Sequence, residues 1–149
     1  MHDRRVSRTP GLPRQPTLCP PGSAKRVSHE GLCRMTRTLI LMRHAKSSWD
    51  TPALADHDRP LNARGKASAL AMGNWLRAKG HVPDVAVSSS SERTGQTFLG
   101  LGFDVPVTFL RTLYHAGPEV MMDVLRNQSG ATVLMLGHNP GIADFAGRL

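Results

Sequence analysis

Residues 38–45 read T-L-I-L-M-R-H-A, a short apolar run that ends in an arginine and a histidine. Arg43 offers a planar fork of N–H donors suited to phosphate. His44 beside it belongs to the residue type that serves as nucleophile or acid/base near neutral pH. Two later segments carry the same kinds of side chain: S-S-S-S-E-R-T at 88–94, with Arg93, and G-H-N-P-G at 137–141, with His138. Taken singly, each has a plain explanation. Arg93 reads as a solvated helix residue, the serines as a loop with a cap, and 137–141 as a tight turn. Taken together, two arginines and two histidines describe an oxyanion pocket, and phosphate is its natural occupant.

For these side chains to meet, the elements that carry them must share an edge. Thr38–Met42 reads as a buried strand and Arg43–Leu61 as a polar loop. Asn62 can cap a helix over Ala63–Lys79 that stops at Gly80, with Ala67, Leu70, Ala71 and Trp75 on one face and Trp75 in the core or at its rim. Asp84–Ser88 is the second strand, and Ser90 or Ser91 caps a helix to about Gly100. Pro106–Leu110 is the third strand. Gly117-Pro118 opens a helix, with proline in its first turn, that runs to about Gln128. Thr132–Leu136 is the fourth strand, and a last helix begins near Gly141. Strands separated by helices predict an α/β fold, a three-layer sandwich with a mostly parallel central sheet and helices on both faces. Every strand of such a sheet ends on one edge, where open α/β sheets place ligands. Arg43, His44, Arg93 and His138 all follow strand ends, and helix amino termini at that edge add anion-favouring amides.

Composition narrows the alternatives. The chain has 149 residues and is 40% hydrophobic, enough for one domain with a core. At 5% aromatic, that core must be mostly aliphatic side chains and alanine. No apolar run approaches a membrane span, so no membrane partner is expected. Cys19 and Cys33 both lie near the amino end, which leaves no disulfide framework or thiolate metal site further on. This suits a reducing compartment, and a cytoplasmic location is expected. Residues 1–34 hold seven Lys/Arg and two Asp/Glu, a net of +5, whereas residues 35–149 hold twelve and nine, a net of +3. The basic excess is therefore in the leading segment, and no basic stripe for nucleic acid is expected on a folded face.

That leading segment contains Pro10, Pro13, Pro16, Pro20 and Pro21 and no helical or strand period. Three readings of residues 1–34 stand: a disordered basic tail, an organelle transit peptide whose prolines oppose a helix, or residues upstream of a true start at Met35. The third is favoured, because the first strand follows Met35 almost at once. The folded domain is then 35–149. His2, His29, His57, His81 and His115 are expected on the surface. Asp56, His57 and Asp58 adjoin in sequence but are expected to point in different directions, and no metal-ligand cluster is found.

The segments R-H-A-K-S-S-W-D, D-H-D-R-P-L-N-A-R-G, S-S-S-S-E-R-T-G-Q-T and G-H-N-P-G, in this order over residues 36–149, resemble the histidine phosphatase superfamily. Ala45 after the histidine and the R-P-L-N-x-R-G block point to its SixA-type phosphohistidine phosphatase branch. The resemblance implies a phosphoglycerate-mutase-like fold and a phosphatase with no metal and no cofactor. It implies that His44 is the nucleophile and that Arg43, Arg93 and His138 hold the phosphoryl oxygens. Ser47 and Arg59 would lie at the substrate rim, and Asp58 and Arg64 would brace the loop. Family members carry more of the last helix and at least one further strand, so the chain reads as shortened at its carboxyl end.

The leaving group separates the candidate substrates. Superfamily members that act on esters often supply an acid after the third strand, because an alkoxide leaves poorly without a proton. Here Arg111–Gly117 reads R-T-L-Y-H-A-G, with no Asp or Glu, and Glu119 and Asp123 lie further on in the helix. Imidazole is a better leaving group, which favours a phosphohistidine on a protein partner. His115 or Glu92 remain alternative donors. A small-molecule phosphomonoesterase is the second reading. A phosphate-binding module without catalysis is the third, motivated by the short carboxyl end. A monomer is expected.

Overall fold

The computed structural model describes residues 36–149. The leading segment, with both cysteines, His2, His29 and the proposed Met35 start, lies outside the described residues. Four strands form one sheet: β1 (Thr38–Arg43), β2 (Val85–Ser89), β3 (Val107–Leu110) and β4 (Thr132–Gly137). Their order is β1-β4-β2-β3, and all three pairings are parallel. Four helices connect or follow them: α1 (Ala63–Ala78), α2 (Glu92–Leu101), α3 (Pro118–Arg126) and α4 (Gly141–Ala146). Element types match the sequence-based expectation, and most ends differ by one or two residues. Two short 3-10 turns, Asp56–Asp58 and Arg111–Leu113, interrupt segments read as loop.

Alternation along the strands builds two cores. On β4, Val133 and Met135 face one way and pack with Met121 of α3 and with Ile142 and Phe145 of α4. Leu134 and Leu136 face the other way and pack with Leu76 of α1 and with Phe98 and Leu101 of α2. β1 repeats the pattern, with Leu39 and Leu41 against the first cluster and Ile40 and Met42 against the second. A sheet covered on both faces needs strands apolar on both, which is why these strands read as continuous apolar runs. The three-layer expectation therefore holds. Among the described residues, no helix is long and apolar enough to cross a membrane.

The packing face of α1 differs from the expected one. Ala67, Leu70, Ala71 and Trp75 are exposed, Trp75 at 52%, so this tryptophan is neither core nor rim. The buried stripe is Gly65, Ala69, Gly73 and Leu76. Its small residues let two backbones meet. A Cβ on Gly73 would lie 2.0 Å from the carbonyl oxygen of Leu101, and one on Gly100 would lie 2.7 Å from the Ala69 Cβ. Close approach of α1 to α2 replaced large-side-chain packing, and a count of large apolar residues could not see it.

The amino end of α1 also holds the loop after β1. Asn62 caps the helix by accepting from the Gly65 N–H at 2.8 Å. The Asn62 N–H donates to the Lys46 carbonyl at 3.0 Å, and Ser47 bridges to Leu61. A Cβ at Gly65 would come 2.2 Å from that same Lys46 oxygen.

Candidate active site

Strand register brings the first and last motifs together. Arg43 is opposite Gly137, and the His44 N–H donates to the Gly137 carbonyl at 3.1 Å. The His44 and His138 rings lie with centroids 5.1 Å apart. Arg93, in the first turn of α2, reaches both. Its Nε donates to His44 Nε2 and its Nη2 to His138 Nδ1, each at 3.3 Å. Arg43, His44, Arg93 and His138 line one cavity of about 520 Å³ together with Ala45, Lys46, Ser47, Trp49, Asp56, His115 and Asn139.

The ring tautomers follow from the partners. His44 Nδ1 lies 2.7 Å from the Ala45 carbonyl, which only accepts, so Nδ1 carries the hydrogen and Nε2 is unprotonated, its lone pair accepting from Arg93 Nε. Ala45 is itself fixed, because its N–H donates to the Thr97 hydroxyl at 3.0 Å, and that hydroxyl donates to the Arg93 carbonyl at 2.6 Å. Burial lowers the His44 pKa from its ordinary value, and the Arg93 and Arg43 charges lower it further against the opposing bond to Ala45. His138 is 2% exposed. Burial, with Arg93, His44 and His115 nearby, pushes its pKa down to about 3, so the ring is neutral. Since Nδ1 accepts from Arg93, Nε2 donates to Ser89 Oγ at 2.9 Å.

Arg93 is 4% exposed, and a charge so enclosed needs a partner. That partner is Asp56. Arg93 Nη2 donates to its Oδ2 at 2.8 Å, and Nη1 donates to its backbone carbonyl. The Tyr114 hydroxyl donates to the same Oδ2 at 2.6 Å. The Tyr114 bond and the arginine hold Asp56 well below the usual carboxylate range, overcoming the opposing effect of burial. The Tyr114 pKa is raised in turn, by burial and by this carboxylate.

Several expected roles change place. Asp56, His57 and Asp58 do diverge, but Asp56 diverges into the cavity. His57 is half-buried rather than on the surface, with Nε2 3.0 Å from Ser90 Oγ and Nδ1 3.0 Å from Asp58 Oδ1. His115 is half-exposed but lines the cavity, its ring 5.1 Å from that of His138. Ser47 is among the residues that line the cavity. Arg59 does not line the cavity; its guanidinium lies 3.7 Å from the ring centroid of Trp49, which does. Asp58 touches the loop through His57, whereas Arg64 is exposed on α1. Glu92 accepts from Gln96 at 2.7 Å and is not among the lining residues. Among the described residues, no group of three or more His, Cys, Asp or Glu could hold a metal ion.

A family model for the histidine phosphatase superfamily (branch 1) matches residues 39–115. The chain belongs to that superfamily. Within it the chain is of the SixA type. An uncharacterised protein of Mycobacterium tuberculosis is 39% identical over 108 residues, which cover 70% of this chain and 67% of that protein. A proposed phosphohistidine phosphatase SixA from Nakamurella multipartitia superposes with a TM-score of 0.68 at 39% identity, covering 73% of this chain and 63% of that one. The protein histidine phosphatase SixA complexed with tungstate gives 0.64 at 27% identity, covering 74% and 75%. This chain thus spans a little under two thirds of the Nakamurella protein's length.

Proposed function

We propose that this histidine phosphatase superfamily member is a phosphatase that moves a phosphoryl group from phosphohistidine, on a protein partner, to His44 and then to water. The observation that carries this reading is the Ala45 carbonyl on His44 Nδ1. It aims an unprotonated Nε2 at a point that Arg93 and His138 also reach, in a cavity that Arg43 lines. Phosphoryl transfer depends mainly on positioning and on spreading charge over the equatorial oxygens. The two guanidinium groups do the second task.

No base is needed to ready His44 for attack. His44 attacks through its Nε2 lone pair, and the resulting phosphorylated ring already bears hydrogen on Nδ1. It is therefore a phosphoimidazolium, and when water attacks phosphorus it departs as neutral imidazole. Asp56 bears on the substrate class. It is an acid at the cavity, but its donors hold it as a carboxylate, so it has no proton for an alkoxide. That supports phosphohistidine over an alkyl phosphate ester.

Rapid acid-free quenching after mixing with a phosphorylated histidine protein tests the reading. Acid-labile phosphate should appear on the wild-type chain and be absent from His44→Ala, while the variant keeps the circular dichroism of the parent. Phosphate release with no labile phosphate on the chain would contradict it.

A further inference from the structure

We propose that His115 is the proton donor to the departing group, delivering its proton to the ring nitrogen of phosphohistidine that is distal to phosphorus. This rests on the reading above, in which His44 takes the phosphoryl group. The need for such a donor is chemical. A phosphorylated imidazole whose distal nitrogen is bare would have to leave as an imidazolate, a very poor leaving group. With a proton on that nitrogen it leaves as neutral imidazole.

The titratable groups around the cavity are few, and most are committed. The free nitrogen of His44 is the nucleophile. Asp56 remains a carboxylate under Tyr114 and Arg93. His138 is buried, with Nε2 bonded to Ser89 and Nδ1 to Arg93. Lys46 also lines the cavity, as a compact point charge suited to phosphoryl oxygens. His115 is a side chain that can carry and give up a proton at a ring nitrogen, and it lines the cavity with no hydrogen bond on its Nδ1 among the described residues.

Its placement fits the task. His115 has φ +53°, a backbone region uncommon for residues other than glycine. Its neighbours Leu113 and Ala116 are buried and fix the segment. The ring lies against Tyr114 at 4.3 Å and His138 at 5.1 Å between centroids. The side chain is half-exposed, at the mouth through which a protein-borne histidine must withdraw. Asp56 faces it from the loop after β1, with Oδ2 3.5 Å from Nε2, and Arg93 of α2 stands behind that carboxylate. A carboxylate so placed compensates the ring whenever it carries two protons. With Nε2 turned to Asp56, Nδ1 is the nitrogen that gives the proton.

The step balances as follows. The P–N bond of the substrate breaks with its electron pair going to the substrate ring, as the His44 Nε2 lone pair forms the new P–N bond. The proton passes from His115 to the distal nitrogen, and histidine leaves neutral. In the second step water forms the P–O bond, His44 departs neutral, and the proton of water returns to His115.

Two small substrates separate this role from a structural one: N-phosphorylimidazole, which needs a proton to leave well, and N-phosphoryl-N′-methylimidazolium, whose distal nitrogen is already quaternised. His115→Asn suits the test, because asparagine tolerates the left-handed region; His115→Gln serves as a second variant. Measured at about pH 8, each variant should lose roughly a hundredfold or more in kcat/KM on the first compound and stay within about threefold of wild type on the second. Equal loss on both compounds, or no loss on either, would overturn the donor assignment. Wild-type protein that cleaves neither compound and carries no labile phosphate on His44 would overturn the underlying reading itself.

Discussion

His44 has one nitrogen to spend on chemistry, and its environment keeps that nitrogen free. Burial, seconded by the Arg93 and Arg43 charges, lowers its pKa from the ordinary value near 6.5. The sign matters. On the proposed mechanism a ring protonated on Nε2 cannot attack, so activity should be present while the pH stays above the lowered value and be lost as the pH falls through it. The acid limb of kcat/KM should therefore lie below the ordinary imidazole value. Arg93→Gln should move that limb upward, since one repelling charge is gone. The limb should stop short of the ordinary value, because burial is the larger cause and remains. A pH–rate profile of both proteins checks this, and a wild-type limb at or above the ordinary value would contradict it. The residues in this argument were legible in the sequence because each lies at a strand end or in the first helical turn after one, and parallel strands end on one edge. Asp56 was not legible, and His115 was legible only as one of two alternative donors, on a residue expected at the surface. Asp56 enters from a 3-10 turn inside the long segment between β1 and α1, residues 44–62, which carries no period. His115 depends on a single left-handed residue, which no spacing announces.

At the scale of elements, the site depends on how closely α1 lies to α2. The α2 helix carries Arg93 and Thr97, and α1 grips the loop that carries His44. Their contact runs through Gly73 against the Leu101 backbone and Ala69 against Gly100, while Gly65 meets the Lys46 carbonyl of the loop. Gly73→Ala would thrust a Cβ to 2.0 Å from the Leu101 carbonyl, an atom that cannot swing aside. The helices must then separate, and urea unfolding should show a loss of about 2–3 kcal/mol. Trp75→Ala, two residues away on the exposed face, should change stability by no more than about 0.5 kcal/mol. The reverse order would mean that large apolar contacts, rather than close backbone approach, hold this seam. Here the sequence misled for a definable reason. A helical period weighted by side-chain size selects Leu70 and Trp75, while the stripe that packs is marked by the absence of side chain. The sheet was easier to read, because strands covered on both faces leave unbroken apolar runs such as V-L-M-L at 133–136.

For the whole molecule, the question is what balances the charge of a phosphoryl group in transit. Around the cavity the fixed charges are two guanidinium groups and Lys46 against the one carboxylate of Asp56, which Arg93 already engages. Three-ligand clusters for a metal are lacking among the described residues. What the cavity offers a transition state is preorganised side chains. Two consequences can be measured together. Prolonged treatment with EDTA, followed by gel filtration, should leave kcat/KM unchanged. Vanadate, which adopts five-coordinate geometry on a nucleophile, should compete with substrate at concentrations about a hundredfold below those of inorganic phosphate, as a transition-state analogue does relative to a ground-state anion. Arg93→Gln should erase most of that advantage, because the guanidinium contributes most where the equatorial oxygens carry the most charge. Should EDTA abolish activity and a divalent cation restore it, charge balance would come from a metal and the arginines would be reduced to a binding role.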